Sequence, residues 1–332
     1  MTSPGVSRAD ARRRTQRCVA AVGAVLALTL PACSDDRPEP AASAAASPSP
    51  TGPLSGPALA VKIDNTAKSH PHVGVAAADV VYVQPVEGGL TRLLAVFSSG
   101  MPKEVGPVRS ARESDLAILA NFGPIAFAYS GASSYTNRLL EKGEQVNLSY
   151  GASAQGFRRE KSRPAPYNVM GDPSALLERA RGSARPEDPG FEFGPEPAGG
   201  AAAESVSVRW PAARLSFVWD AKRAAYLLTT DGERDVDPEG VQHGAGTVVV
   251  QYVETHASKN RDVTGAATPV VELTGQGKAT VLRGGKAWNG TWARPAAADP
   301  TSFTADGAPM TMAPQGTVWV LLVAPGQHVT VG

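Results

Sequence analysis

Apolar residues along this chain gather into short runs, and the length and spacing of each run says what it can become. The first run is uncharged from Cys18 to Leu30 and follows Arg12, Arg13, Arg14 and Arg17. It falls short of the roughly 20 apolar residues of a membrane-spanning helix, and a basic segment ahead of about 7 to 15 apolar residues is the secretory pattern, so residues 1–32 predict a signal peptide. The runs Leu59 to Ile63, Val80 to Val83 and Leu93 to Phe97 are short, rich in β-branched or aromatic residues and bounded by Gly, Pro or Asn. They predict buried strands. Helices are predicted over Glu113 to Asn121, Tyr135 to Lys142 and Pro173 to Ala180, the last with Asp172 as N-cap and Pro173 at the first helical position. Strand alternating with helix predicts an α/β or α+β first domain over residues 58–195.

From Phe191 to Glu204 the chain turns to Gly, Pro, Ala and Glu, and a domain boundary is expected there. Beyond it the pattern is strands separated by turns: Leu215 to Trp219, Ala225 to Thr230, Thr247 to Val253, Val270 to Leu273, Ala279 to Leu282 and Val318 to Val323. Asp231-Gly232, Gly284-Gly285 and Asp306-Gly307 stand between strand candidates as hairpin turns require. A β-rich second domain over 205–332 follows. Residues 33–57, rich in Ala, Ser and Pro, offer nothing to bury and predict an extended tether.

The only cysteines are Cys18, inside the signal, and Cys33, so the mature chain can form no internal disulfide and depends on its core. Leu30-Pro31-Ala32-Cys33 resembles the bacterial lipobox, with Pro31 as the departure; the resemblance implies a lipid on Cys33 and a chain held on the outer face of the cytoplasmic membrane. The alternative is cleavage after Ala32 to release a secreted protein. A net charge of +1 argues against a nucleic-acid partner.

Candidate chemistry collects at strand ends in the first domain: Asp64 and Asn65, Glu87, Arg92, and Arg109, Ser110 and Arg112. Two arginines three residues apart, with Arg92, can present guanidinium forks to a phosphate, diphosphate or carboxylate. The alternative is that Arg109 and Arg112 form structural ion pairs with Glu87, Glu113 or Asp115. Asp64 and Glu87 could instead work as an acid/base pair if the fold joins the strand ends. No serine lies in a Gly-x-Ser-x-Gly motif and no phosphate-binding loop is present, so catalytic residues stay unassigned and no cofactor is indicated. No metal site is indicated either: His70 and His72 flank Pro71 in an expected exposed loop, and His243, His256 and His328 lack ligand spacing. Trp288, Trp292 and Trp319 are either a sugar- or lipid-facing platform or core.

Ala60 to Asn65, Ala78 to Tyr82, Val86 to Arg92, Gly106 to Arg112 and Asn289 to Trp292, in that order, resemble the YerB-like lipoproteins with their two-part domain of unknown function numbered 3048. The resemblance spans roughly residues 58 to 325, implies lipoprotein character and carries no particular activity. Relatives often have a histidine before an aspartate within the stretch that is Gly232 to Asp237 here; this chain has Arg234. Three functions follow as expectations: an envelope lipoprotein that binds an anionic ligand (phosphorylated glycan, lipid-linked precursor or peptidoglycan fragment) through Arg92, Arg109 and Arg112; an envelope hydrolase or transferase using Asp64 and Glu87 with arginine stabilisation; or a protein-interaction lipoprotein without a small-molecule site.

Overall fold

A computed structural model of the chain describes residues 56–261 and 265–332. The predicted signal peptide, Cys33 and nearly all of the tether lie outside the described residues. The first half supplies β1 (Leu59–Asp64), β2 (Val80–Pro85), β3 (Thr91–Phe97), β4 (Ala126–Tyr129), β5 (Val146–Ser149), β6 (Phe157–Arg159) and β7 (Val169–Gly171). Its helices are α1 (Glu113–Leu119), α2 (Ser134–Leu140) and α3 (Pro173–Arg179). The second half supplies β8 (Ala201–Ala202), β9 (Ser205–Trp210), β10 (Ala213–Asp220), β11 (Ala225–Thr230), β12 (Glu233–Arg234), β13 (Gly244–Ala245), β14 (Thr247–Tyr252) and β15 (Thr255–Arg261). It ends with β16 (Ala267–Val271), β17 (Gly275–Arg283), β18 (Lys286–Arg294), β19 (Ser302–Ala305), β20 (Ala308–Pro309), β21 (Val318–Val323) and β22 (His328–Val331).

Strands β1, β3 and β21 are buried at every position, which is why their sequences read as largely apolar runs and not as alternation. They lie in a large sheet ordered β20-β19-β18-β17-β14-β21-β2-β3-β1-β4-β5. One face of it, with Leu59, Val61, Val81 and Val83, packs on Val206, Val208, Leu215 and Phe217 of a smaller sheet ordered β12-β11-β10-β9-β22. The other face, with Ala60, Tyr82, Leu94 and Val96, packs under Ile118 and Leu119 of α1 and Leu140 of α2. The result is three layers, small sheet, large sheet, and helices α1 and α2, while α3 packs through Leu176 on the small-sheet side.

The Phe191 to Glu204 stretch does run outside helices and all but one short strand, yet it does not separate two cores. Strand β2 of the first half pairs in parallel with β21 of the second, β21 pairs with β14, and the described residues form one compact unit. The second half is β-rich, as expected. The three turn dipeptides close hairpins, with positive φ at all six residues. Asp172 caps α3, accepting from Ala175 N–H at 3.1 Å. Among the described residues no helix is long and apolar enough to cross a membrane.

Candidate functional site

Register brings the predicted residues together before any side chain acts. Asp64 at the end of β1 and Gln84 near the end of β2 both stand opposite Arg92 near the start of β3. The segment entering α1 is then laid across the ends of β1 and β4. Asp64 N–H donates to Pro107 C=O (3.0 Å), Arg109 N–H to Lys62 C=O (2.8 Å) and Ser130 N–H to Arg109 C=O (2.9 Å). Arg109 and Ser110 therefore sit at the carboxyl ends of the parallel strands β1 and β4, the edge where open α/β sheets hold ligands.

Both carboxylates are engaged. Asp64 accepts from Arg109 Nε at 2.7 Å, from Thr66 N–H at 2.9 Å and from the Thr66 hydroxyl. Glu87 accepts Arg112 Nε on both oxygens at 2.7 and 2.9 Å, and the Thr268 hydroxyl of β16. Burial alone would raise both pKa values. The Thr66 and Arg109 bonds outweigh it at Asp64, the Arg112 and Thr268 bonds at Glu87, and both are held below the usual carboxylate range. Arg109 also lies over the Tyr167 ring, 5.4 Å from its centre. Of the other predicted residues, Asn65 is buried and donates to Thr91 Oγ1 at 2.8 Å, and Ser110 contributes its carbonyl to Arg92 Nη1 at 2.9 Å.

Arg92 differs from its neighbours. It is 8% exposed, and among the described residues no carboxylate lies within ion-pair distance of it. Burial first, then the charges of Arg112 and Arg109, push it down to about 10. Beneath it a third pair is wholly buried: Lys62 Nζ donates to Asp115 Oδ1 at 2.8 Å, and Gln84 Nε2 donates to the same oxygen. The cluster thus sets four cations (Lys62, Arg92, Arg109, Arg112) against three carboxylates (Asp64, Glu87, Asp115).

A second polar cluster lies on the other side of Asp64 and corrects the expectation for the histidines. His72 is fully buried, not in an exposed loop, and His243 is 2% exposed; both face Asp235, which is also buried. His243 Nδ1 donates to Asp235 Oδ1 at 2.8 Å and Thr230 Oγ1 to Oδ2 at 2.7 Å. His70 stacks edge-on against His72, ring centres 4.2 Å apart. Burial and the neighbouring His72 push His70 down to about 4, whereas the histidines hold Asp235 far below the carboxylate range despite its burial. The absence of metal-ligand spacing in the sequence does not carry over to space: ligand atoms of His70, His72 and Asp235 all lie within 4.8 Å of one another. His70-Pro71-His72 was visible in the sequence, but its partners lie in the second half, where no spacing rule could reach them.

Residues 47–186 match the family described as protein of unknown function (DUF3048), N-terminal domain, and residues 206–320 match its C-terminal domain. The chain belongs to the DUF3048 family. A Bacillus subtilis (strain 168) protein named "Putative lipoprotein YerB" is 42% identical over 113 residues, a stretch spanning 33% of this chain and 33% of that protein. The crystal structure of YerB from Bacillus subtilis has the same fold, with a TM-score of 0.71 at 23% identity over 83% of this chain and 94% of that one. Both charge clusters of this DUF3048 chain draw on its two halves, since Thr268 reaches Glu87 and Asp235 reaches His70 and His72.

The tryptophans resolve to core. Trp288, Trp292 and Trp319 are buried, and the first two spend their indole N–H on Ala198 and Tyr252 carbonyls. An open hollow of about 1030 Å³ runs along β17 and β18, where Lys278, Asn289 and Thr291 face it. Arg234 is exposed and donates to Gln242, while Asp235 beside it is buried.

Proposed function

We propose that this chain is an extracytoplasmic lipoprotein, anchored through Cys33, that binds an anionic envelope ligand at Arg92, Arg109 and Arg112. Similarity to a protein named as a lipoprotein supports the anchoring. The observation that carries the binding reading is Arg92: a buried guanidinium with two arginines beside it and no carboxylate of its own. A buried charge is retained when it is paired, and an incoming phosphate, diphosphate or carboxylate supplies the missing counter-charge. Arg109 and Arg112 keep 19% and 16% of their side chains exposed, so a ligand reaches the cluster from their side. An acid/base role for Asp64 and Glu87 is less well supported, because each is tied to a guanidinium and held ionised.

The test is a thermal-shift screen of residues 54–332 with phosphate, diphosphate and phosphorylated glycan fragments. A ligand present at about 100 times its Kd adds about 2.7 kcal/mol, or a rise of roughly 5 °C or more for a domain of this size. Arg92→Met and Arg109→Ala, the latter leaving Asp64 its Thr66 bonds, should abolish the shift while staying folded. A shift retained in both variants places the ligand elsewhere and overturns the reading.

A further inference from the structure

His72 is oriented by a group that can only accept. Its Nε2 lies 2.8 Å from the Asp64 carbonyl, so Nε2 carries the ring proton and, in the neutral ring, Nδ1 carries a lone pair. That Nδ1 makes no hydrogen bond and faces Asp235 Oδ1, itself an acceptor, at 3.5 Å. His70 Nε2 is a second buried nitrogen without a hydrogen-bond partner and lies 3.8 Å from Asp235 Oδ2. Ring nitrogens and a carboxylate that face one another in a buried space without a hydrogen bond between them call for a cation, since a buried acceptor left unpaired is costly.

We infer that His70, His72 and Asp235 form a binding site for a divalent late first-row transition-metal ion, with Zn²⁺ as the reference ion. The dimensions suit it. Zinc holds nitrogen and oxygen ligands at about 2.0–2.2 Å, which sets tetrahedral ligands about 3.3–3.6 Å apart; His72 Nδ1 and His70 Nε2 stand 3.5 and 3.8 Å from the two oxygens of Asp235, and one ligand atom from each residue lies within 4.8 Å of the others. Two imidazoles and one carboxylate select this class over the hard cations, which prefer oxygen donors alone.

Supporting groups are arranged as metal sites require. The Asp64 carbonyl fixes the tautomer of His72, and His243 and Thr230 each hold one oxygen of Asp235 while leaving it a further lone pair. Arg163 donates to the Ser69 carbonyl at 2.9 Å and the Pro71 carbonyl at 2.6 Å, fixing the backbone on both sides of His70. His72 and Asp235 are closed to solvent, but the His70 side chain is 22% exposed and gives the ion an entry. Three protein ligands leave a coordination position for water or an anion, the arrangement of an open site rather than a purely structural one. The competing account is a proton: His72 doubly protonated and ion-paired to Asp235.

The experiment is calorimetric titration of the full chain with ZnCl₂ after alkylation of Cys18 and Cys33 and stripping with a chelator. One equivalent of zinc is expected, with affinity reduced tenfold or more in His70→Ala and in Asp235→Asn and unchanged in His256→Ala, a histidine outside the cluster. Co²⁺ in place of zinc should give visible d–d bands that vanish in the same two variants. His70→Ala, at a partly exposed ring, decides the matter if Asp235→Asn fails to fold. Less than one equivalent, an affinity indifferent to His70→Ala, or loss in His256→Ala overturns the inference in favour of the protonated pair.

Discussion

Lys62 has no exposed surface, and its ammonium is held by Asp115 alone with two further cations, Arg92 and Arg112, nearby. Burial outweighs the Asp115 bond and pushes it down from 10.5 to about 8. Between those values the unfolded chain holds a proton that the folded chain has lost, so stability rises with pH across this window, on the order of 1 kcal/mol per pH unit. Urea midpoints at pH 8 and 9.5 should therefore climb in the parent relative to Lys62→Met; the comparison cancels buried tyrosines such as Tyr82, pushed up by burial, whose contribution has the opposite sign. Equal slopes in the two proteins refute it. A second expectation concerns Glu87. Arg112→Ala leaves that carboxylate without a cation and should cost about 2–4 kcal/mol, whereas Arg112→Ala with Glu87→Gln should recover at least half, read from a double-mutant cycle in urea. At this scale the sequence showed which charged residues end strands, hence Asp64, Glu87 and Arg92. It could not show Lys62, which sits inside an apolar run where only tertiary structure says that a carboxylate waits across the sheet.

Elements with local signals were legible: β21 covers Val318–Val323 as predicted, the cap at Asp172 is in place, and three dipeptides form the turns. Strands β4 and β5 were not, because four-residue segments such as Ala126–Tyr129 carry too little pattern and acquire their strand geometry from parallel pairing with β1 and with each other. Another feature hidden at sequence level is close approach between strands. A Cβ on Gly290 of β18 would lie 2.0 Å from the Thr304 carbonyl of β19, a contact with backbone that no rotamer relieves. Gly290→Ala should cost about 1–3 kcal/mol and should loosen the β19–β20 edge first, seen as faster hydrogen exchange at Met310 N–H, which bonds Phe303 C=O. Gly131→Ala, with open space around it, should stay within about 0.5 kcal/mol of the parent. If Gly290→Ala matches it, β19 has a freedom that this packing does not allow.

The whole molecule departs furthest from what local pattern implies. Composition marks the Phe191 to Glu204 stretch as a boundary, and the two family matches end and begin on either side of it, yet hydrophobic pattern carries no information on which strand pairs with which. Pairing joins the halves: Thr317 Oγ1 donates to the Ala78 carbonyl across 239 residues of sequence, and β21 lies against β2. Val81 and Val83 need the small sheet to cover them, and that sheet belongs wholly to the second half. A fragment of residues 56–200 would expose that face and leave β2 as an unprotected edge; a fragment of 201–332 would do the same to β21. Neither fragment should unfold cooperatively alone, and mixing them should restore a single transition that coincides by circular dichroism and by tryptophan fluorescence. Cooperative melting of 56–200 by itself, near the temperature of the intact chain, would show that the first half is a domain in its own right. Because the arginine cluster takes Thr268 and the histidine cluster takes Asp235 and His243 from the second half, the same mixing experiment also bears on function. Ligand-induced and zinc-induced stabilisation should be absent from the separate fragments and return only with the reassembled sheet.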